Sequence, residues 1–245
     1  MVVRSLIFTV LTFLWTVAFC IVGVPTFFLP RRRLHRMSAV WVRGVFWLLR
    51  TVVGLRYELR GVATLPAPPY ILAVKHQSAF DALVFHTFLD EPIFVLKNEL
   101  LRVPVVGWYL AKAGMIGIDR SAGAGAMKKM LREARDVLQS GRQIIVFPEG
   151  TRAPPGEQRP YHAGIAALYL HFEVPVIPVA LNSGVFWGRR AFVKKPGLIT
   201  VAFLPRIPPG LDRGSFMHAL ETQLEGSSNR LVAEATQGLD PSGRA

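Results

Sequence analysis

The sequence predicts an α/β fold, a mostly parallel central sheet flanked by helices, preceded by an N-terminal membrane-associated helical pair. Three observations carry that prediction. After Arg60, short β-like apolar runs alternate with segments of helical length, the pattern from which parallel sheets are built. Through residue 60 the chain holds nine arginines, one glutamate and no lysine, set in its most apolar sequence. Hydrophobic residues make up 51% of the 245, beside a formal net charge of +13, so part of the chain should meet lipid and an anionic partner is expected.

The first element is an apolar helix. No charged residue occurs from Ser5 to Pro30, and residues 5–24 suffice to span a bilayer. A secretory signal peptide fits less well. Only Arg4 precedes the apolar run, no Ala-x-Ala site ends it, and Phe19 before Cys20 spoils a lipoprotein-type cleavage site. Arg31, Arg32, Arg33 and Arg36 follow and belong on the cytoplasmic side by the positive-inside tendency. Residues 38–55 form a second apolar stretch with Trp41, Phe46 and Trp47, but Arg43 and Arg50 share one helical face, which suits a helix lying in the interface. A single span followed by a surface helix and a hairpin dipping into one leaflet are both compatible with this pattern. Basic residues beside apolar segments suit anionic headgroups, and no zinc spacing or similar module supports a nucleic-acid partner. The lone Cys20 can form no internal disulfide and reads as a small hydrophobe.

Six strands are predicted in the next region, at 70–75, 92–96, 115–118, 143–147, 176–181 and 198–204. Helices are predicted between them at 79–89, 100–113, 125–139 and 164–172. The last two strands, around the Lys194-Lys195-Pro196-Gly197 turn, are compatible with antiparallel pairing, and Pro178 suggests an edge or a bulge for its strand. A final helix is expected over 214–236, with Gly226 as a possible interruption, then a loose tail. These readings divide the chain into membrane-anchoring helices at 1–59, a catalytic domain at 60–210, and a C-terminal helix and tail at 211–245.

Four blocks carry chemistry, each at the end of a predicted strand, where α/β folds place ligands. In Lys75-His76-Gln77-Ser78-Ala79-Phe80-Asp81, His76 suits general-base work, and Asp81 can hold its tautomer if the chain bends between them. The same residues also read as a helix cap, Ser78-x-x-Asp81. Phe147-Pro148-Glu149-Gly150-Thr151-Arg152 offers backbone N–H groups, a hydroxyl and a guanidinium, a set that suits a phosphate, or else a plain turn with a solvated ion pair. In Gly114-Met115-Ile116-Gly117-Ile118-Asp119-Arg120, Arg120 is a second candidate phosphate contact or the partner of Asp119. The fourth block, 176–182, reads as core or as a fourth strand end at the site.

In this order and over residues 60–210, the blocks resemble the 1-acylglycerol-3-phosphate acyltransferases of the glycerolipid acyltransferase superfamily. Phe-Pro-Glu-Gly-Thr-Arg is the most specific part. The resemblance implies that His76 is the base and Asp81 its partner, while Arg120, Glu149, Gly150, Thr151 and Arg152 shape a phosphate site. It implies transfer of a fatty acyl group from acyl-CoA or acyl-ACP, a co-substrate, to the sn-2 hydroxyl of lysophosphatidate, with no metal or other cofactor. The partners it implies are membrane lipids, the lysophospholipid and the acyl thioester, and the place is a bacterial inner membrane with the catalytic domain on the cytoplasmic side. The chain departs from many relatives at Lys75, where they carry Asn, and at His162, where they often carry Lys. A different acceptor, such as a lyso-ornithine lipid, and a non-catalytic lipid-binding protein are the alternatives. No Gly-x-Ser-x-Gly elbow is present and Cys20 sits in the apolar helix, so direct transfer is expected rather than an acyl-enzyme.

Overall fold

A computed structural model of the chain describes residues 1–23, 28–119 and 123–237. Helix α1 (Val2–Gly23) lies antiparallel to α2 (Arg31–Leu48), which continues into a π-helical turn, Leu49–Val53. Their contacts fix that direction. The Trp15 indole N–H donates to the Trp41 carbonyl at 3.1 Å, and the Trp41 indole N–H donates to Thr16 Oγ1 at 3.2 Å. Gly44 leaves room for the Trp15 ring, since a Cβ there would fall 2.6 Å from it.

The second helix therefore starts seven residues before the expected 38 and carries the arginine cluster in its first turns. Much of its apolar surface is covered, with Leu34, Val42, Val45 and Phe46 buried in the core, while Val40 and Trp47 stay 50% and 63% exposed. Helix α1 presents a lipid-like surface of its own, with Phe13, Ile21 and Val22 among its exposed side chains. That helix is long and apolar enough to cross a membrane.

Gly54, at φ 81°, stops the helix and leads into β1 (Leu55–Arg60), a strand absent from the sequence reading. The expected boundary between 59 and 60 thus falls inside a strand of the sheet. The other strands are β2 (Ile71–Val74), β3 (Ile93–Lys97), β4 (Ile116–Ile118), β5 (Ile144–Val146), β6 (Val176–Leu181) and β7 (Gly197–Phe203). They form a seven-stranded sheet in the order β1-β7-β6-β2-β5-β3-β4. All neighbours are parallel except β6 and β7, so β1 and β7 run against the rest.

The connecting helices are α3 (Phe80–Leu83), α4 (Asn98–Leu101), α5 (Val106–Ala113), α6 (Gly123–Gln139), α7 (Ala163–His171), α8 (Ser183–Phe186) and α9 (Arg213–Gln237). The helix expected over 100–113 is two pieces because Pro104 cannot continue it. The one expected over 79–89 gives way to a 3-10 turn at Val84–Thr87. Asp212 opens α9 by accepting from the N–H groups of Gly214 and Ser215, and Gly226 does not interrupt it.

Alternation along the strands feeds two apolar layers. Leu72, Val74, Ile145, Ile177 and Val179 face α2 and the short helices, whereas Ile71, Ala73, Ile144, Val146 and Val176 face α6, α7 and the start of α9. Pro178 sits in an interior strand, not at an edge. It is tolerated because pairing on its β7 side lapses between Phe203 and the isolated bridge at Ile207, so no ladder partner loses a donor.

Candidate active site

Strands β2 and β5 are adjacent and parallel, so the loops that follow them meet at one edge of the sheet. The chain leaves β2 at Val74, loops through residues 75–79 and enters α3 only at Phe80. That bend lets side chains five apart converge: His76 Nδ1 lies 3.0 Å from Asp81 Oδ2. The same oxygen accepts the N–H groups of Gln77 at 2.6 Å and Ser78 at 2.7 Å. Asp81 is fully buried and binds both the imidazole and the turn that carries it. Its other oxygen accepts from the hydroxyl of Ser183, directly after β6. The next residue, Gly184, donates its N–H to Gln77 Oε1 at 3.0 Å, so one bond ties this turn to α3 and another ties it to the His76 loop.

The His76 ring stacks on Phe147, with centroids 4.0 Å apart, and with Nδ1 engaged its Nε2 is the nitrogen a substrate can meet. The loop backbone is fixed at both ends of the residue. Its N–H donates to Glu149 Oε2 at 3.0 Å, and its carbonyl accepts from the Ala153 N–H at 2.8 Å.

Glu149 was expected beside a phosphate and is found elsewhere. A turn closed by the Gly150 N–H on the Phe147 carbonyl, with Gly150 at φ 61°, directs the carboxylate inward. There it meets Lys75 Nζ at 2.6 Å, and that ammonium also contacts both oxygens of Glu225 from α9 at 2.8 and 2.9 Å. Tyr161 donates its hydroxyl to Glu225 Oε1 at 2.7 Å. All three charges are withdrawn from solvent. A carboxylate already bound to a lysine and to a backbone N–H is poorly placed to receive an anion as well. Burial raises the Glu149 carboxyl above its ordinary range, with Lys75 opposing the shift.

The other residues of that block do face the site. Gly150, Thr151 and Arg152 line, with His76, a cavity of about 610 Å³. Arg189 and Arg190, from the loop between α8 and β7, line the same cavity and were not singled out from sequence. A pair of adjacent arginines soon after the Pro-containing strand was the available signal. Most of the remaining wall is apolar and aromatic, including Trp41, Leu83, Phe94, Leu96, Leu110 and Met115, with Ser38, His86 and Lys97 as its polar members. Arg120 lies outside the described residues. The cavity therefore joins an imidazole–carboxylate pair, guanidinium groups and a long greasy wall, the features an amphiphile with an anionic head and a hydroxyl would require.

Comparison with known proteins agrees with that chemistry. Residues 56–182 match the family model described as Acyltransferase. The chain is 35% identical over 240 residues to the 1-acyl-sn-glycerol-3-phosphate acyltransferase of Pseudomonas aeruginosa, covering 96% of this chain and 86% of that protein. It is 27% identical over 197 residues to the human 1-acyl-sn-glycerol-3-phosphate acyltransferase alpha, covering 79% of this chain and 69% of that one. The crystal structure of the 1-acyl-sn-glycerophosphate (LPA) acyltransferase PlsC from Thermotoga maritima shares the fold, with a TM-score of 0.74 at 21% identity over 95% of this chain and 97% of that one.

Proposed function

The chain belongs to the acyltransferase family and, within it, to the 1-acyl-sn-glycerol-3-phosphate acyltransferases, and from that premise we propose that it acylates the sn-2 hydroxyl of lysophosphatidate to give phosphatidate. The observation that carries the acceptor is the cavity itself, which His76 lines together with Arg152, Arg189 and Arg190 and with many apolar side chains. Arginine suits the doubly ionisable phosphate of this acceptor, and it repels the amine of a lyso-ornithine lipid.

In the proposed reaction His76 Nε2 removes the proton of the acceptor hydroxyl as its oxygen attacks the thioester carbonyl carbon. Asp81 stabilises the imidazolium that forms and fixes the ring with Nδ1 protonated. Collapse of the tetrahedral intermediate forms the ester, breaks the carbon–sulfur bond and releases a thiolate, which recovers the proton from His76. No acyl-enzyme is formed. Glu149 acts from behind, holding the His76 N–H while Lys75 holds Glu149. The donor is a co-substrate, acyl-CoA or acyl-ACP.

The first helix supports a place at the membrane for the enzyme. With α1 in the bilayer and the arginines at 31–33 and 36 on the cytoplasmic side, the catalytic domain faces the cytoplasm, in a bacterial cell at the inner membrane. The test is an assay of purified protein in detergent with lysophosphatidate, lyso-ornithine lipid and other lysolipids against acyl-CoA and acyl-ACP. Ester formation on lysophosphatidate that vanishes in His76→Ala is expected. Preferred acylation of a phosphate-free acceptor overturns the assignment.

A further inference from the structure

Apolar surface in this molecule is not confined to α1. Between β3 and β4 the chain forms α4, turns at Pro104 and forms α5, and here Leu100, Val103, Val105, Val106 and Trp108 are 44%, 40%, 40%, 55% and 60% exposed. A tryptophan and a cluster of valines held in water lose the stabilisation that burial of apolar area brings, on the order of 25 cal/mol per Å², and such patches mark interaction surfaces. Val105 adopts φ 63°, a conformation that β-branched residues rarely take, so the exposed turn also carries backbone strain.

The position and charge of the segment identify what covers it. A Cβ at Gly23, the end of α1, would meet the Tyr109 hydroxyl at 2.7 Å, so α5 stands directly beside the apolar helix. Val106, Tyr109 and Leu110 share a groove of about 190 Å³ with Thr16, Phe19 and Cys20 of α1. Lys97, Arg102 and Lys112 flank the exposed residues, with Glu99 the sole acid between 97 and 112. Apolar side chains and tryptophan with basic flanks, continuous with a membrane-length helix, match an anionic bilayer surface. The groove also leads inward, because Ser38, Trp41, Val106, Tyr109 and Leu110 line both it and the large cavity that holds His76.

We propose that α4–α5 is a second membrane-embedded element, separate from the N-terminal anchor, and that the groove between α5 and α1 is a lateral portal through which the lysolipid chain passes from the bilayer to the cavity. Membrane embedding of α4–α5 is independent of the acceptor, whereas the portal rests on the reading that the substrate is a lysolipid.

Full-length protein carrying Cys20→Ser and Val106→Cys, labelled with an environment-sensitive fluorophore, is reconstituted in vesicles of phosphatidylethanolamine and phosphatidylglycerol with or without doxyl-labelled lipid. Labels at Val103 and, on the far helical layer, at Lys129 serve as second and control sites. Quenching at 103 and 106 several-fold above that at 129 is expected, and equal quenching at all three overturns the membrane assignment whatever the acceptor. For the portal, Trp108→Lys is assayed with long-chain lysophosphatidate in vesicles and with a short-chain, monomeric analogue. A several-fold loss on the vesicle substrate alone is expected. An unchanged vesicle rate, or an equal loss on both substrates, overturns the portal.

Discussion

Replacing Lys75 by methionine should be among the most damaging single changes in this protein, although Lys75 does not line the cavity that holds His76. Its ammonium, 2.6 Å from Glu149 and 2.8 Å from Glu225, is among the described residues the one cation paired with two buried carboxylates, and the three side chains are 2%, 0% and 11% exposed. Methionine matches the length of the stem and removes the charge, which leaves two carboxylates facing each other with little water to screen them. Breaking a buried pair in this way costs about 3–5 kcal/mol, a large part of the ~5–15 kcal/mol that holds a typical domain folded. Glu225→Gln is the informative contrast. It leaves a one-to-one pair of Lys75 and Glu149 and still accepts from Tyr161, so a cost on the order of 1 kcal/mol is expected.

The loss should also reach the chemistry, because the oxygen of Glu149 that Lys75 does not hold accepts the His76 N–H. Thermal and denaturant midpoints in one detergent, with kcat and KM for lysophosphatidate, test both parts. Lys75→Met should melt early and lose kcat more than it raises KM, with Glu225→Gln near the parent in both. If Lys75→Met stays within about 1 kcal/mol of the parent, or if Glu225→Gln costs as much, the cluster is not built around its cation and the reasoning fails.

Ser183→Ala strips the hydroxyl that Asp81 Oδ1 accepts and leaves a buried carboxylate oxygen unpaired, at about 1–3 kcal/mol. If that hydroxyl also holds Asp81 in place for His76, kcat should fall while KM for lysophosphatidate changes little, whereas a loss of stability with kcat unchanged would mark Ser183 as packing only. His86, at the cavity wall, is pushed down to about 4 by burial, with His35 adding to the shift. The unfolded chain takes up that proton near 6.5 and the folded one near 4. Stability from this group is therefore complete above pH 6.5 and falls by about 3 kcal/mol as pH drops toward 4. Unfolding midpoints of His86→Phe across that window should lack this slope, and a parallel slope in the variant would refute the assignment. Arg152→Ala should raise KM for lysophosphatidate by about 10- to 100-fold while sparing KM for the donor, the loss of a charge-assisted contact of about 1.5–3 kcal/mol; equal damage to both values counts against a phosphate role.

What could be read from the sequence follows how locally each feature is determined. The strands β2, β5 and β6 were legible because each is a short apolar run closed by polar residues, and the placement of the blocks at their ends followed from the fold class. Strand β1 was missed for a physical reason. Three of its six residues are charged, and what makes it a strand is β7, paired with it from Leu55↔Gly197 onward, about 140 residues later. The alternation of Leu55, Tyr57 and Leu59 with Arg56, Glu58 and Arg60, after the helix-stopping Gly54, was the local trace that it left.

The site divides in the same way. His76 and Asp81 lie five apart and their meeting needs only a bend, whereas the hydroxyl that completes Asp81 comes from 102 positions away. Glu149 shows the limit most clearly. Its place directly before Gly150, Thr151 and Arg152 suggested a phosphate site, and nothing nearby in the chain says that its carboxylate turns inward. The decisive residue is Glu225, 150 positions from Lys75, on the C-terminal helix beyond the expected catalytic domain at 60–210. Yet the need was visible: a lysine directly after a fully buried strand cannot stay charged without an acid nearby. Glu225 meets that need from α9, which makes the C-terminal helix a wall behind the catalytic loop.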